Sequence, residues 1–154
     1  MSASSPAPLS RPRIVNAAFW CWLAAAILLI AGGLLTATVN LAGLPGIYLT
    51  VRGRKSGIER TSPLMCVPDG DTWLIAGSYF GGPKTPLWVG NLRAAAGRAT
   101  VEFGKETFAV TATELTGADR AAAWRTMLEV WPNYAKYEER TDRTIPVFRL
   151  TREG

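Results

Sequence analysis

Histidine is missing from all 154 residues of this chain. Its absence excludes Ser-His and Cys-His nucleophilic pairs, His-ligated metals and any imidazole acid or base. Cysteine is nearly missing as well: Cys21 lies in an apolar run and Cys66 in an expected strand. Two thiols so placed make no disulfide framework and suit a reducing cytosol. Charge is missing from one long stretch, because no Asp, Glu, Lys or Arg occurs between Arg13 and Arg52. Acidic residues are few, 12 Asp and Glu against 17 Lys and Arg, for a formal net charge of +5. A basic domain invites a nucleic-acid reading. No zinc-finger spacing, helix-turn-helix pattern or basic stripe interleaved with aromatics accompanies the charge, which argues against that partner. An enzyme with these absences relies on a cofactor for its reaction.

What is present divides the chain into three parts. Residues 1–16, rich in Ser, Ala and Pro as far as Pro12, read as a flexible N-terminal tail. Residues 17–42 read as a hydrophobic membrane-anchor segment. A helix of about 23 residues here, at roughly 1.5 Å each, reaches about 34 Å, against about 30 Å of bilayer hydrocarbon. Trp20 and Trp22 near its start suit a membrane interface. The apolar core is longer than that of a secretory signal, and no small-residue cleavage site follows it. A hydrophobic helix folded back on the rest of the chain, or a pair broken at Gly32-Gly33, is the alternative. Arg11 and Arg13 precede the segment, while Arg52, Arg54, Lys55 and Arg60 follow it. The larger cluster favours the cytoplasmic side for the C-terminal part.

Residues 43–154 are long enough for one domain with a modest core. Strands are expected at 47–52, 60–67, 73–77, 100–103, 107–114 and 147–150. Pro68-Asp-Gly-Asp71 and Gly104-Lys105 give hairpin signals, and 78–85 is a loop rich in Gly and Pro. Helices are expected at 86–96, at 131–140, and from a Thr116 cap to Val130. Short antiparallel strands with interspersed helices predict a small α+β barrel.

Three segments carry candidate chemistry. The turn of residues 52–60 places Arg52, Arg54, Lys55 and Arg60 in nine positions, bracketed by Gly53 and Gly57. Glycines there allow a sharp turn whose N–H groups face one point, an arrangement that holds an anion. A solvated hairpin turn is the bland alternative. The loop of residues 76–88 supplies close-approach glycines, Ser78 and Lys84, and opens a helix whose N-terminus favours negative charge. Ordinary core packing competes for Phe80 and Trp88. Tyr134 and Tyr137 are three residues apart on one helical face, where their phenols can line a flat pocket or simply edge a core helix. Asp142 and Arg143 more readily secure a loop than do chemistry.

Taken together the segments are distinctive. Gly53-Arg-Lys-Ser-Gly-x-x-Arg-x-x-Pro-Leu64 is followed by Gly77-Ser-x-x-Gly-Gly-Pro-Lys-x-Pro-x-Trp-x-x-Asn-Leu92. Pro132-x-Tyr-x-x-Tyr-x-x-Arg-Thr-Asp-Arg-x-Ile-Pro146 then completes the set. Over residues 47–150 this pattern resembles the deazaflavin-dependent nitroreductase and quinone reductase family of actinobacteria, which uses coenzyme F420. The resemblance implies a split β-barrel like that of the FMN-binding pyridoxine-phosphate oxidases, with short helices. It implies that Arg54, Lys55, Ser56 and Arg60 hold the phosphate and the carboxylates of the cofactor tail. Lys84 and the backbone around Gly77 would close on ring and linker, with Trp88 packed nearby. Ser78 would face the reacting end, and Tyr134 and Tyr137 would shape the substrate pocket and assist protonation. The acceptor implied is a quinone, including lipid-dissolved menaquinone, which a membrane segment suits. FMN is the less favoured cofactor, and a non-catalytic cofactor- or lipid-binding module the remaining alternative. Met65, Thr85, Val89 and Trp131 depart from residues common in the family, and all lie toward the substrate side.

Overall fold

The computed structural model describes residues 45–154. The expected tail at 1–16 and hydrophobic helix at 17–42 lie outside the described residues. Among the described residues, no helix is long and apolar enough to cross a membrane.

Strand β1 (Gly46–Arg52) turns Ile47, Leu49 and Val51 inward and leaves Arg52 exposed, the period of two that a half-buried strand requires. It pairs with β2 (Glu59–Met65) through the basic turn. The single strand expected over 60–67 is instead two. Chain pairing with β1 ends at Met65, and β3 (Val67–Asp69) pairs with β4 (Thr72–Ala76) across Gly70, whose φ of +60° suits the hairpin. The loop after β4 contains a short 3-10 turn, Tyr79–Gly81, and leads to helix α1 (Leu87–Ala94). The hairpin β5 (Arg98–Phe103) and β6 (Glu106–Glu114) follows, then helices α2 (Gly117–Val130) and α3 (Asn133–Glu139), and β7 (Val147–Arg152). Thr116 does precede α2, but its side chain makes no capping bond.

All seven strands form one antiparallel sheet in the order β2-β1-β5-β6-β7-β4-β3. Its two outermost strands are separated along the chain by Cys66 alone. One residue cannot span a flat seven-stranded sheet, whose strands are about 4.8 Å apart, so the sheet must curl until its ends nearly meet. Cys66 is the corner. It is fully buried, and its N–H donates to the Pro45 carbonyl at 3.0 Å.

The curl creates an inner core of Leu49, Val101, Val110, Phe148 and Leu150, closed by Trp88, Val89 and Leu92 of α1. Strands β4 and β7 are buried on both faces. Ile75 and Phe148 point into this core, while Leu74 and Val147 join a second one under α2 and α3. There Ala123, Trp124 and Met127 of α2 pack with Tyr134 and Ile145. Each fully buried aliphatic side chain contributes about 1.5–3 kcal/mol of burial, so the two cores fix which side of β7 each helix and loop occupies.

Candidate functional site

Helix α1 joins the two glycine-rich segments, because successive residues at its start face different neighbours. Trp88 enters the core against Phe148, with ring centroids 5.8 Å apart. Val89 lies against Gly77, where a Cβ would come within 2.9 Å of its methyl and 2.8 Å of Pro146. Gly90 lies under Arg54, whose guanidinium occupies the space a Cβ would need. Asn91 accepts the Arg54 backbone N–H at 3.2 Å. A glycine inside a helix costs roughly 0.5–1 kcal/mol relative to alanine, and here it admits the arginine.

The basic turn is closed by its own backbone. Gly53 N–H donates to the Ile58 carbonyl at 2.8 Å and Gly57 N–H to the Gly53 carbonyl at 2.8 Å. Ile58 N–H donates to the Ser56 hydroxyl at 3.3 Å. The N–H groups of the two glycines are thus used in forming the turn, the Arg54 N–H goes to Asn91, and Gly57 at φ +69° provides the turn's left-handed step. Ser56 bonds inward too. What the turn offers outward is side-chain charge. Arg54, Lys55 and Arg60 are exposed, and Arg60 runs alongside Gly53. Arg52 is oriented by its Nε bond to the Gly57 carbonyl, 3.1 Å.

Four arginines are paired with carboxylates: Arg93 with Glu114, Arg120 with Glu138, Arg149 with Asp69, Arg152 with Glu106. The Arg93 pair is bidentate and holds the Glu114 carboxyl below its usual range, chiefly through that hydrogen bond. Arg52, Arg54, Lys55, Arg60 and Arg98 have no such partner among the described residues. An open cleft of about 670 Å³ runs from Arg52 and Arg54 past the end of α1 to Arg98 on β5, with Glu59 and Glu153 at its margins. Unpaired cations around a groove hold a phosphate or a chain of carboxylates.

The second segment is a strained loop. Tyr79 and Phe80 are consecutive non-glycine residues with φ of +47° and +55°. Each such residue costs on the order of 1–3 kcal/mol, and such strain clusters at ligand clamps and active sites. Phe80 is 72 % exposed, so its expected alternative role in the core does not hold. Its ring meets the edge of Tyr137 at 5.9 Å, and Tyr137 in turn meets Tyr134 at 5.9 Å. The loop's carbonyls at Ser78 and Gly82 accept bonds from Arg143, which was read from the sequence as securing a loop.

The remaining expected site residues divide by burial. Gly77 is buried, and its N–H donates to the Pro146 carbonyl at 2.9 Å. Its backbone joins loop to barrel. Ser78 is half-buried at the loop's start, and Lys84 is exposed between Pro83 and α1. Trp88 is a core residue, 8 % exposed. Tyr134 is 2 % exposed and packed against Trp124 at 5.4 Å. Burial drives its phenol well above the usual range, so it stays protonated. Tyr137 is half-buried and borders the exposed Phe80. Helix α1 thus touches both segments, the basic turn at Gly90 and Asn91 and the start of the strained loop at Gly77, while the cleft beside the turn is lined by none of the loop's residues and Trp88 and Tyr134 face inward in separate cores.

Comparison with known proteins shows the family. Residues 30–152 match the F420H(2)-dependent quinone reductase family. The chain belongs to that family. Two F420H(2)-dependent quinone reductases of Mycobacterium tuberculosis are each 37% identical to it over 111 residues, covering 70% of this chain and 74% of theirs. A solved F420-H2 dependent reductase, FDR-A, superposes with a TM-score of 0.63 at 37% identity, over 69% of this chain and 93% of its own. The heme storage protein HutZ of Vibrio cholerae, at 14% identity and a TM-score of 0.52 over 71% of this chain and 82% of its own, shares the fold alone.

The hydride donor of the family is the reduced deazaflavin F420H2, and the residues present fit it. Unpaired cations at the turn suit an anionic tail. Glycines at 77 and 90, where a Cβ would collide, let backbone and arginine approach closely. Tyr79, Phe80 and Leu87 expose apolar surface of a kind suited to a flat ring. Asn91 is part of the sequence pattern, whereas Gly90 was not singled out from the sequence. A glycine inside an otherwise helical run was the available signal for Gly90.

Proposed function

We propose that this protein transfers a hydride from F420H2 to a quinone, with the acceptor drawn from the membrane to which the apolar N-terminal segment directs it. The observation that supports the reading is that adjacent residues of α1 meet both segments: Gly90 and Asn91 meet Arg54 of the unpaired basic turn, and Val89 meets Gly77 where the strained loop begins.

Bound F420H2 supplies the hydride. Arg54, Lys55 and Arg60 hold the anionic end, and Arg52 and Arg98 extend the positive field along the cleft for a tail of carboxylates. Each exposed charge-assisted contact contributes about 1–2 kcal/mol. Ser56 fixes the shape of the turn rather than touching the ligand. The backbone near Gly77 and Ser78, with Lys84, borders the ring and linker. Trp88 and Val89 keep the α1 face in place from within the core.

Phe80 and Tyr137 line the acceptor side, where apolar surface excludes water and orients a flat quinone. Tyr137 and Ser78 offer hydroxyl groups to the quinone oxygen that gains charge as hydride arrives. Tyr134 backs Tyr137 as a protonated phenol shut in the core, acting through its neighbour's position. The hydride brings one hydrogen and both electrons to the quinone, and the single proton that completes the quinol comes through these hydroxyls from solvent, the chain having no imidazole to supply it.

The catalytic domain faces the cytoplasm in this reading, with the excess positive charge after the apolar segment on that side. The reading is tested by titrating the purified protein with oxidised F420 and with FMN. Saturable F420 binding that exceeds FMN binding supports it, and FMN binding alone refutes it. Vesicle flotation of the full chain and of a variant lacking residues 1–42 tests the membrane role. Equal flotation of both removes the anchor from the account.

A further inference from the structure

Arg143 reaches from the segment between α3 and β7 across to the strained loop. Its Nε donates to the Gly82 carbonyl at 3.1 Å and its Nη2 to the Ser78 carbonyl at 2.8 Å. These carbonyls flank Tyr79 and Phe80, the consecutive aromatic residues in left-handed backbone. Such a conformation relaxes unless its surroundings over-determine it. Within residues 78–82 the bonds are Gly81 N–H to the Ser78 carbonyl and Gly82 N–H to the Tyr79 carbonyl, both local, and the backbone tie to the barrel is one residue earlier, from Gly77 N–H to the Pro146 carbonyl. α3 constrains it on one side, where a Cβ on Gly81 would fall within 2.8 Å of the Tyr137 carbonyl and of the Arg140 Cβ. Arg143 constrains both of its ends.

The arginine is held for this geometry and not for charge. It has no carboxylate partner among the described residues. Its third nitrogen, Nη1, is buried without an acceptor. A surface guanidinium free to choose would turn that group to water. The fixed fork of the guanidinium spans two carbonyls at once, which the single ammonium of lysine does not reproduce.

We propose that Arg143 is a positioning residue: by clamping the carbonyls of Ser78 and Gly82 it holds Tyr79 and Phe80 in strained backbone and so sets Phe80 against Tyr137. The clamp stands on the contacts themselves, and its consequence for catalysis rests on the reading that a quinone binds beside Phe80 and Tyr137.

The test uses the full chain with Arg143→Lys and Arg143→Met, followed by amide hydrogen exchange at residues 78–82. Steady-state kinetics with F420H2 and a soluble menaquinone analogue accompany it. Exchange across the loop should quicken about tenfold or more in both variants. kcat/KM for the quinone should fall about tenfold with lysine and further with methionine. Affinity for oxidised F420 should fall less than kcat/KM for the quinone, because the charged turn is untouched while the loop borders the ring. Wild-type exchange and kinetics in Arg143→Met overturn the proposal, as does full retention of both by Arg143→Lys, which decides alone if the methionine variant does not fold. Should the wild-type protein bind no F420, the functional reading fails, and exchange at 78–82 still decides the clamp.

Discussion

Replacing Gly90 by alanine separates the cofactor site from the stability of the fold. A Cβ at this position overlaps the Arg54 guanidinium, the far end of a flexible and exposed side chain. Gly90 lies inside α1 and is not among the residues with positive φ, so alanine fits its backbone. Helix propensity then favours the variant by about 0.5–1 kcal/mol. Arg54, displaced from its bed on the helix, loses its aim on the anionic end of the ligand. That loss is about 1–2 kcal/mol, or roughly five- to thirtyfold in Kd. Fluorescence titration with oxidised F420 reads the affinity, and thermal unfolding reads the fold. The expected pair of results is an unchanged or higher Tm with weaker binding. Arg54→Ala should weaken binding comparably, and adding Gly90→Ala to it should change little more, because both act through one guanidinium. Unchanged affinity in Gly90→Ala would refute the reasoning, and so would a full additional loss in the double variant.

Gly77→Ala should do the opposite, lowering stability by about 1–3 kcal/mol, because its Cβ meets Pro146 and Val89 inside packed structure rather than a mobile tip. Chemical denaturation checks this, and wild-type stability would contradict the close approach. Burial pushes the Cys66 thiol up to about 12 from an ordinary 9.0. A folded-state value above the unfolded one gives stability that is complete below about pH 9 and is lost as pH rises toward 12, at no more than about 1.4 kcal/mol per pH unit. Tyr134 is shifted in the same direction, so the reading is the difference in slope between wild type and Cys66→Ala. Identical slopes would show that the thiol does not contribute.

Much of the barrel was legible as alternation and turn chemistry. Ile47, Leu49 and Val51 mark β1 by their period of two, and Gly70 and Gly104 mark hairpins with φ of +60° and +64°. The corner at Cys66 was not legible. Residues 60–67 keep one β-rich pattern through it, and only the long-range pairing of β2 with β1 and of β3 with β4 divides them. The same limit applies to the site. Arg54, Lys55 and Arg60 stand out as a local cluster of charge. Whether Ser56 and the glycine N–H groups face a ligand or close the turn depends on partners such as Ile58, which composition does not reveal. Trp88 and Tyr134 are of a type that suits a pocket or a core equally, and neighbours far along the chain, Phe148 and Trp124, place both in the core. Phe80 went the other way, because an aromatic residue in left-handed backbone carries no composition signal.

The central claim is hydride transfer from F420H2 to a quinone at the turn and loop that α1 meets. Its most direct measurement is the anaerobic mixing of protein, F420H2 and a menaquinone analogue, following the reappearance of the oxidised deazaflavin spectrum and the quinol formed. The account predicts equal amounts of both products, a rate that saturates in each substrate, and loss of cofactor saturation when Arg54 and Lys55 are replaced together by alanine. Tight F420 binding with no reoxidation by any quinone would contradict it.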